Sequence, residues 1–250
     1  MSPNSYLTDV FNESGSPVLF IDFDGTISKR DVIDEILKEF ADKSWLEIEK
    51  QWTSGKIGSR ECLQKQFALV EATPAVLNKF IDTLELDEGF PALLRFCRDS
   101  EIDVHIVSDG FDYYIRRMLE RSASDLIQQC GVSVWANRLI PQGKKSWRTE
   151  FPFFEKECNH GCATCKPQVM RTNNPFGSPS VFIGDGLSDR YAAQQADVVF
   201  AKKKLSEFCL DNRIPQTAYS GLLQVAEIMD QAFESFVSNL YRNRGWKTAA

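Results

Sequence analysis

Apolar residues fall along this chain in two rhythms, short unbroken runs and helical stripes, which take turns. Val18-Leu19-Phe20-Ile21 is a run of four β-prone residues. A run without polar alternation reads as a strand covered on both faces, here set at 18–22. It ends in Asp22-Phe23-Asp24-Gly25-Thr26, where Asp-Gly marks a sharp exit loop. Residues 1–16, rich in Asn, Ser and Gly, read as a loose lead-in. From Val32 the rhythm becomes helical: Val32, Ile33, Ile36, Leu37 and Phe40 share one face, and Trp45, Ile48 and Trp52 extend the pattern until Ser54-Gly55-Lys56-Ile57-Gly58 breaks it. Two more amphipathic helices are predicted over 59–70 and 74–84, with Pro74 near a helix start.

No strand is predicted from 32 to about 86, so this stretch is a helical insert after the first strand. A helix over 89–99 leads to a strand at 102–107 that ends in Ser108-Asp109-Gly110. A helix at 111–121 and a third strand at 132–137 follow. Residues 138–157 carry aromatics, Lys144-Lys145 and prolines and read as a β-extension or a long loop, with Pro152 arguing against a central strand. A helix is placed after Pro167, and strands at 181–183 and 198–201. Leu222, Val225, Ile228, Met229, Ala232 and Phe236 stripe a last helix near 221–240, which packs on the core or on another subunit. Alternating strands and helices predict an α/β fold, a parallel sheet with helices on both faces. The division is a core of 17–31 and 87–240 and an insert of 32–86.

Composition narrows the function classes. A net charge of −6 does not suit nucleic acid or an anionic membrane surface. No run reaches the roughly 18 apolar residues of a membrane span. The first residues show neither a basic region nor an apolar core, so no signal peptide is expected. Seven cysteines, an odd number in a chain with a large core, argue against a disulfide framework and for the cytoplasm. A monomer and a homodimer both remain open.

Three strands end in polar residues: Asp22 and Asp24, then Ser108, then Asp185 with Asp189 four residues on. Lys166 lies between the second and third sets. Four carboxylates gathered at one edge of a sheet repel each other unless a cation joins them. Hard oxygen donors without histidine suit Mg²⁺. A metal, a lysine and a serine hydroxyl suit a phosphoryl group. A carboxylate attacking phosphorus gives an aspartyl-phosphate, and a second acid can protonate the leaving alkoxide and then activate water.

Asp-x-Asp-Gly-Thr at 22–26, Ser108, Lys166 and Gly-Asp-Gly-x-Ser-Asp at 184–189 resemble the four motifs of haloacid dehalogenase-superfamily phosphatases, in that family's order. The resemblance implies a Rossmann-like core with an inserted helical cap of the small kind. It implies Asp22 as nucleophile and Asp24 as general acid/base, with Ser108 and Lys166 on the phosphoryl oxygens. It also implies Mg²⁺ on Asp22, the Asp24 carbonyl and Asp185, with Asp189 a further ligand or a residue that orients the ligands, and a small-molecule phosphate ester as substrate. An acid at position 24 favours phosphate esters, because the haloalkanoate dehalogenases of the superfamily lack it.

For the substrate, the insert resembles that of phosphoserine phosphatases, and Asp31, Asp109, Gly110 and Gln66 fall where a substrate group would be met. Where that branch carries an arginine for the serine carboxylate, this chain has Gln66, and an amide does not replace a bidentate guanidinium. Arg60 and Lys65 read as solvated helix charges. The cysteines before Lys166-Pro167 and the run Phe111-Asp112-Tyr113-Tyr114 are similar to the methionine-salvage phosphatases acting on 2-hydroxy-3-keto-5-methylthiopentenyl-1-phosphate. Phosphocholine and phosphoethanolamine phosphatases are similar there too, and a catalytically silent phosphometabolite-binding protein is the reading of another class. Trp45, Trp52 and Phe67 suit either a methylthio tail or the core of the insert. Cys158, His160, Cys162 and Cys165 have the density of a structural Zn²⁺ site, without its usual paired spacing; zinc, reduced thiols and a redox pair stay open. His105, inside a predicted strand, reads as a core histidine.

Overall fold

The structure, a computed structural model, describes residues 7–10, 16–157 and 160–243. Seven strands form one sheet in the order β4-β3-β2-β1-β5-β6-β7. They are β1 (Val18–Ile21), β2 (Asp103–Phe111), β3 (Ser133–Gln142), β4 (Ser146–Glu150), β5 (Ser180–Gly184), β6 (Val198–Ala201) and β7 (Thr217–Ala218). All neighbours are parallel except β3 and β4.

β1 is central, and its parity explains its composition. Leu19 and Ile21 face one apolar cluster, while Val18 and Phe20 face the other, so every residue is buried. In register, Ile21 lies beside Ile106 of β2 on one flank and Ile183 of β5 on the other. The chain leaves β1 toward β2 and returns on the opposite flank as β5. The carboxyl ends of these three strands therefore open into one crevice, where ligands of open α/β sheets bind.

Four helices fill the insert that follows β1 in the stretch leading to β2: α1 (Val32–Phe40), α2 (Trp45–Thr53), α3 (Ser59–Phe67) and α4 (Pro74–Ile81). Asp31 caps α1 by accepting from the Asp34 N–H at 3.0 Å. Thr73 caps α4, with Pro74 in its first turn. Entry and exit run side by side: Ser28 bridges Leu86, the Lys29 N–H donates to the Glu85 carbonyl at 3.0 Å, and the Asp87 N–H donates to the Ile27 carbonyl at 2.7 Å.

The remaining helices are α5 (Phe90–Asp99), α6 (Asp112–Gln129), α7 (Lys166–Thr172), α8 (Arg190–Ala193), α9 (Lys203–Asp211) and α10 (Leu222–Asn243). α10 packs on α5, with Phe233 edge-on to Phe96, so its stripe is covered from within the chain.

Several boundaries differ from the sequence expectation. β2 runs on to Phe111, which puts Ser108, Asp109 and Gly110 inside the strand, over an irregular register against β3. The helices expected over 59–70 and 74–84 stop at 67 and 81. α6 continues to Gln129 through a kink at Ala123. The uncertain stretch after 137 is partly a hairpin, β3 turning at Gly143 (φ +66) into β4. α9 and β7 had no counterpart in the sequence reading. Within the supposed loose lead-in, residues 7–10 are helical and Leu7 is fully buried in the core, while 1–6 and 11–15 lie outside the described residues.

Candidate active site

Beyond Ile21 the chain turns sharply over 22–28. Gly25 has φ +73, and a Cβ there would lie 2.4 Å from Asp185 Oδ2, so the approach of this turn to β5 requires glycine. Ser28 pins the turn by accepting from the Gly25 N–H at 3.0 Å and donating to the Arg30 carbonyl at 2.7 Å.

Asp22 and Asp24 enter different neighbourhoods. Lys166 Nζ, at the start of α7 and 1% exposed, donates to Asp22 Oδ1 at 2.6 Å and to Asp189 Oδ1 at 2.5 Å. The other Asp189 oxygen accepts the Asp185 and Gly186 N–H groups, each at 3.0 Å. Oxygens of Asp22, Asp185 and Asp189 lie within 4.8 Å of one another, which among the described residues is the one group of three such side chains close enough to share an ion. Asp24 turns away: its Oδ2 accepts Tyr114 Oη at 2.7 Å and Ser108 Oγ at 3.2 Å, and its Oδ1 accepts the Val32 N–H at 3.2 Å. Of the metal set expected from sequence, the Asp22, Asp185 and Asp189 carboxylates are together, and the Asp24 carboxylate, expected to contribute only through its backbone carbonyl, is engaged elsewhere.

Burial sets the electrostatics. It raises the Asp22 carboxyl well above the ordinary range, reinforced by Asp189 and opposed by Lys166. Burial also lifts Asp24, to about 6, against the Tyr114 and Ser108 hydrogen bonds, which favour its charged form. Asp185 is raised by burial and by Asp189. Burial pulls the Lys166 ammonium down, but Asp189 and Asp22 outweigh it and hold it above the usual lysine range. The donors are all oxygens, and like charges crowd one buried spot; both features fit a hard divalent cation such as Mg²⁺.

Ser108 Oγ accepts the Gly110 N–H at 2.8 Å. A Cβ on Gly110 would lie 1.9 Å from Tyr114 Oη and 2.3 Å from Asp24 Oδ2, so Gly110 is the space in which those groups meet. Asp109 has both oxygens taken, Oδ2 by Ser59 Oγ at 2.7 Å and Oδ1 by the Thr164 N–H at 2.9 Å. Gln66 is 1% exposed and donates to Glu49 Oε2 at 3.0 Å. Asp31 is exposed at the rim. A cavity of about 300 Å³ joins all of these to Asp22 and Asp24, and its wall on the insert side includes Ile33, Asp34, Glu49, Trp52 and Leu63. Trp45 and Phe67 are instead core residues of the insert. Lys65 pairs with Glu61 along α3, whereas Arg60 is half-buried, with its guanidinium 4.3 Å from the centre of the Phe154 ring.

Two neighbours of the site, Tyr114 and Lys203, belong to none of the four motifs. Tyr114 stood in a run already singled out. Lys203, the first residue of α9 and at φ +49, reaches Asp185 Oδ2 at 2.8 Å, and the triple lysine 202–204 is the signal for it in the sequence. Of the possible zinc ligands, Cys158 lies outside the described residues. The His160 ring stacks on Tyr191 at 3.7 Å, and Cys165 is buried directly before Lys166. His160, Cys162 and Cys165 do not form a three-ligand group among the described residues.

A family model described as "Putative Phosphatase" matches residues 17–230. A 2-hydroxy-3-keto-5-methylthiopentenyl-1-phosphate phosphatase of Geobacillus thermodenitrificans is 29% identical over 213 residues, covering 84% of this chain and 94% of that protein. The protein of the same name from Brevibacillus brevis is 28% identical over 222 residues, covering 88% and 98%. Among solved structures, a phospho-aspartyl intermediate analogue of phosphoserine phosphatase superposes with a TM-score of 0.61 at 20% identity, covering 84% of this chain and 96% of that one. A HAD family hydrolase of Salmonella enterica reaches 0.65 at 19% identity, covering 86% and 72%. These superpositions show the shared α/β fold.

Proposed function

The chain belongs to the family described as "Putative Phosphatase" and is a phosphatase of the haloacid dehalogenase kind, and from that premise we propose that it cleaves a small-molecule phosphate monoester through an aspartyl-phosphate. The observation that carries the mechanism is the division between Asp22, held by Lys166, and Asp24, held by Ser108 and Tyr114.

Asp22 attacks phosphorus as the ester P–O bond breaks, and Asp24 gives its proton to the departing alkoxide. Asp24, raised toward 6 by burial, carries that proton at a higher pH than an ordinary carboxyl does. It then takes a proton from water, which attacks the acyl phosphate, releases inorganic phosphate and restores Asp22. Lys166 orients Asp22 and offsets phosphoryl charge, and Ser108 lies where a phosphoryl oxygen can be met. A magnesium ion held by Asp22, Asp185 and Asp189 would neutralise charge on the transferring phosphoryl group. The helices over 32–81 act as a cap, excluding water from the cavity beneath them.

The preferred substrate is a 2-hydroxy-3-keto-5-methylthiopentenyl-1-phosphate-like ester, because Ile33, Trp52 and Leu63 offer an apolar wall to a thioether tail and the curated relatives bear that name. A second reading, a phosphoethanolamine- or phosphocholine-type ester, is favoured by Asp31, Asp34 and Glu49 on the same wall. Phosphoserine is disfavoured, since no arginine lines the cavity among the described residues and Gln66 is engaged with Glu49. Such metabolic esters fit a cytoplasmic enzyme, and no described helix is long and apolar enough to cross a membrane.

Turnover of p-nitrophenyl phosphate is expected to require Mg²⁺ and to fall at least about a thousandfold in Asp22→Asn. A panel of the three ester types then ranks the leaving groups. A wild-type protein that binds a phosphometabolite without turning over any ester would sink the enzyme mechanism in favour of a sensor.

A further inference from the structure

Asp109 is a buried carboxylate that the reaction does not use, and its two oxygens are tied to two different parts of the chain. Oδ2 accepts from Ser59 in the first turn of α3, and Oδ1 accepts from the Thr164 N–H, two residues before Lys166. The same Ser59 oxygen accepts the Ala163 N–H at 2.9 Å, so the hydroxyl donates to β2 and accepts from the loop before Lys166. Around this knot, the Arg60 N–H donates to the Gly161 carbonyl at 3.1 Å. A Cβ on Gly58 would lie 2.3 Å from that carbonyl oxygen. Thr164 Oγ1 donates to the Ser108 carbonyl at 2.8 Å, and Asn137 Nδ2 to the Asp109 carbonyl at 2.7 Å. Three segments far apart in sequence, near 59, 109 and 164, thus meet at one carboxylate.

The other end of the insert is fixed separately. Tyr113 Oη donates to Asn78, Arg117 pairs with Asp82, and Trp147 Nε1 donates to the Ala72 carbonyl. The Asp109 knot, with the Arg60–Gly161 bond beside it, fastens the α3 end, next to the cavity. It also fixes the backbone that aims Lys166, since the Lys166 N–H donates to the Thr164 carbonyl at 2.9 Å and the Lys166 ammonium holds Asp22.

We propose that Asp109 is a positioning residue, whose carboxylate couples the seating of α3 to the placement of Lys166 on Asp22. When the first turn of α3 withdraws, Ser59 leaves Asp109 and Ala163 together and Arg60 leaves Gly161, so the loop carrying the lysine loses its two bonds to α3, at Ala163 and Gly161. The lysine then aligns the nucleophile only when the insert is closed over the cavity, which is when water is excluded. Asp109 acts through Ser59 and Thr164 and touches no reacting atom. The kinetic consequence rests on the phosphatase reading; the physical tie does not.

The test uses the full chain with Mg²⁺ and p-nitrophenyl phosphate. Ser59→Ala and Asp109→Ala are each expected to lower kcat about tenfold with KM within about threefold, a misalignment effect rather than a binding one. The double variant is expected to fall no further than the worse single variant, because both break one tie. Ser59→Thr keeps the hydroxyl and brings kcat back to within about twofold of wild type. Amide exchange at Thr164, which bonds Asp109 and not Ser59, is expected to quicken in Ser59→Ala. Additive losses, a raised KM at unchanged kcat, or unaltered exchange at Thr164 would overturn the proposal. Should Asp109→Ala fail to fold, the Ser59 pair of variants decides. An inactive wild type would sink the phosphatase reading, and the exchange measurement would then judge the tie by itself.

Discussion

Asp22 and Asp24 are the same side chain two residues apart, and their partners make them chemically different. Asp22 faces an ammonium and two acids, while Asp24 faces two hydroxyls and one N–H. His105 shows the same control by surroundings away from the site. Its ring stacks on Phe20 with centroids 5.1 Å apart, Trp135 Nε1 donates to its Nδ1 at 3.5 Å, and burial lowers its pKa below 6.5. Because the folded pKa lies below the unfolded one, the unfolded chain binds the proton more readily. The stability held by neutral His105 is therefore present above about pH 6.5 and is lost as pH falls through that value toward the folded pKa. Urea midpoints are expected to drop more steeply between pH 7 and 5 for wild type than for His105→Phe; parallel curves would refute this. Asp22, Asp24 and Asp185 could be picked from the sequence because each follows a short apolar run, and Ser108, Lys166 and Asp189 because they complete a recognisable motif set with them, although Ser108 lies within β2 rather than at its end. Tyr114 on Asp24 and Ser59 on Asp109 could not, since each pairing spans 50 residues or more and depends on how α6 and α3 dock.

At the scale of elements, legibility followed the number of buried positions. β1 and β5, buried at every residue, announce themselves as apolar runs. α9 buries only Leu205 and Cys209 and opens with lysines, so its stripe is too thin to stand out. β7 is two residues long, and β4 buries a single residue, Trp147. Yet β4 matters to the insert. Trp147 Nε1 donates to the Ala72 carbonyl at 2.9 Å, the Ala72 N–H donates to Lys145, and the Tyr113 ring lies edge-on at 5.1 Å. The hairpin thereby grips the link between α3 and α4. Trp147→Phe keeps most of the apolar area but leaves the Ala72 carbonyl without its donor. It is expected to cost about 2 kcal/mol of unfolding free energy, from the orphaned acceptor and the partly emptied site. Denaturant unfolding checks this, and a change within about 0.5 kcal/mol would mean that the hairpin does not brace the insert.

Across the whole molecule, the cluster of acids lies at the ends of the two strands on which the fold is centred. Asp22 follows β1, and Asp185 and Asp189 follow β5, which pair along their full length. An ion joining them is bound by the folded chain and not by the unfolded one, because unfolding separates Asp22 from Asp185, which is 163 positions further along the chain. Binding energy at this spot must therefore appear as global stability rather than as local stiffening. Free Mg²⁺ at 100 times its Kd adds about 2.7 kcal/mol to unfolding. For a chain of this size that corresponds to a Tm rise of roughly 5–10 °C. Asp185→Asn removes one charge and one ligand oxygen from the cluster while leaving β5 buried as before, so most of the Mg²⁺-dependent rise should vanish. The variant without metal should melt no lower than wild type without metal, since it relieves repulsion among buried acids. Calorimetry of both proteins in chelator and in Mg²⁺ separates these effects. A Tm in wild type that ignores Mg²⁺ would show that Asp22, Asp185 and Asp189 do not act as a shared cation site, and that Lys166 and Lys203 suffice to hold the strand ends together.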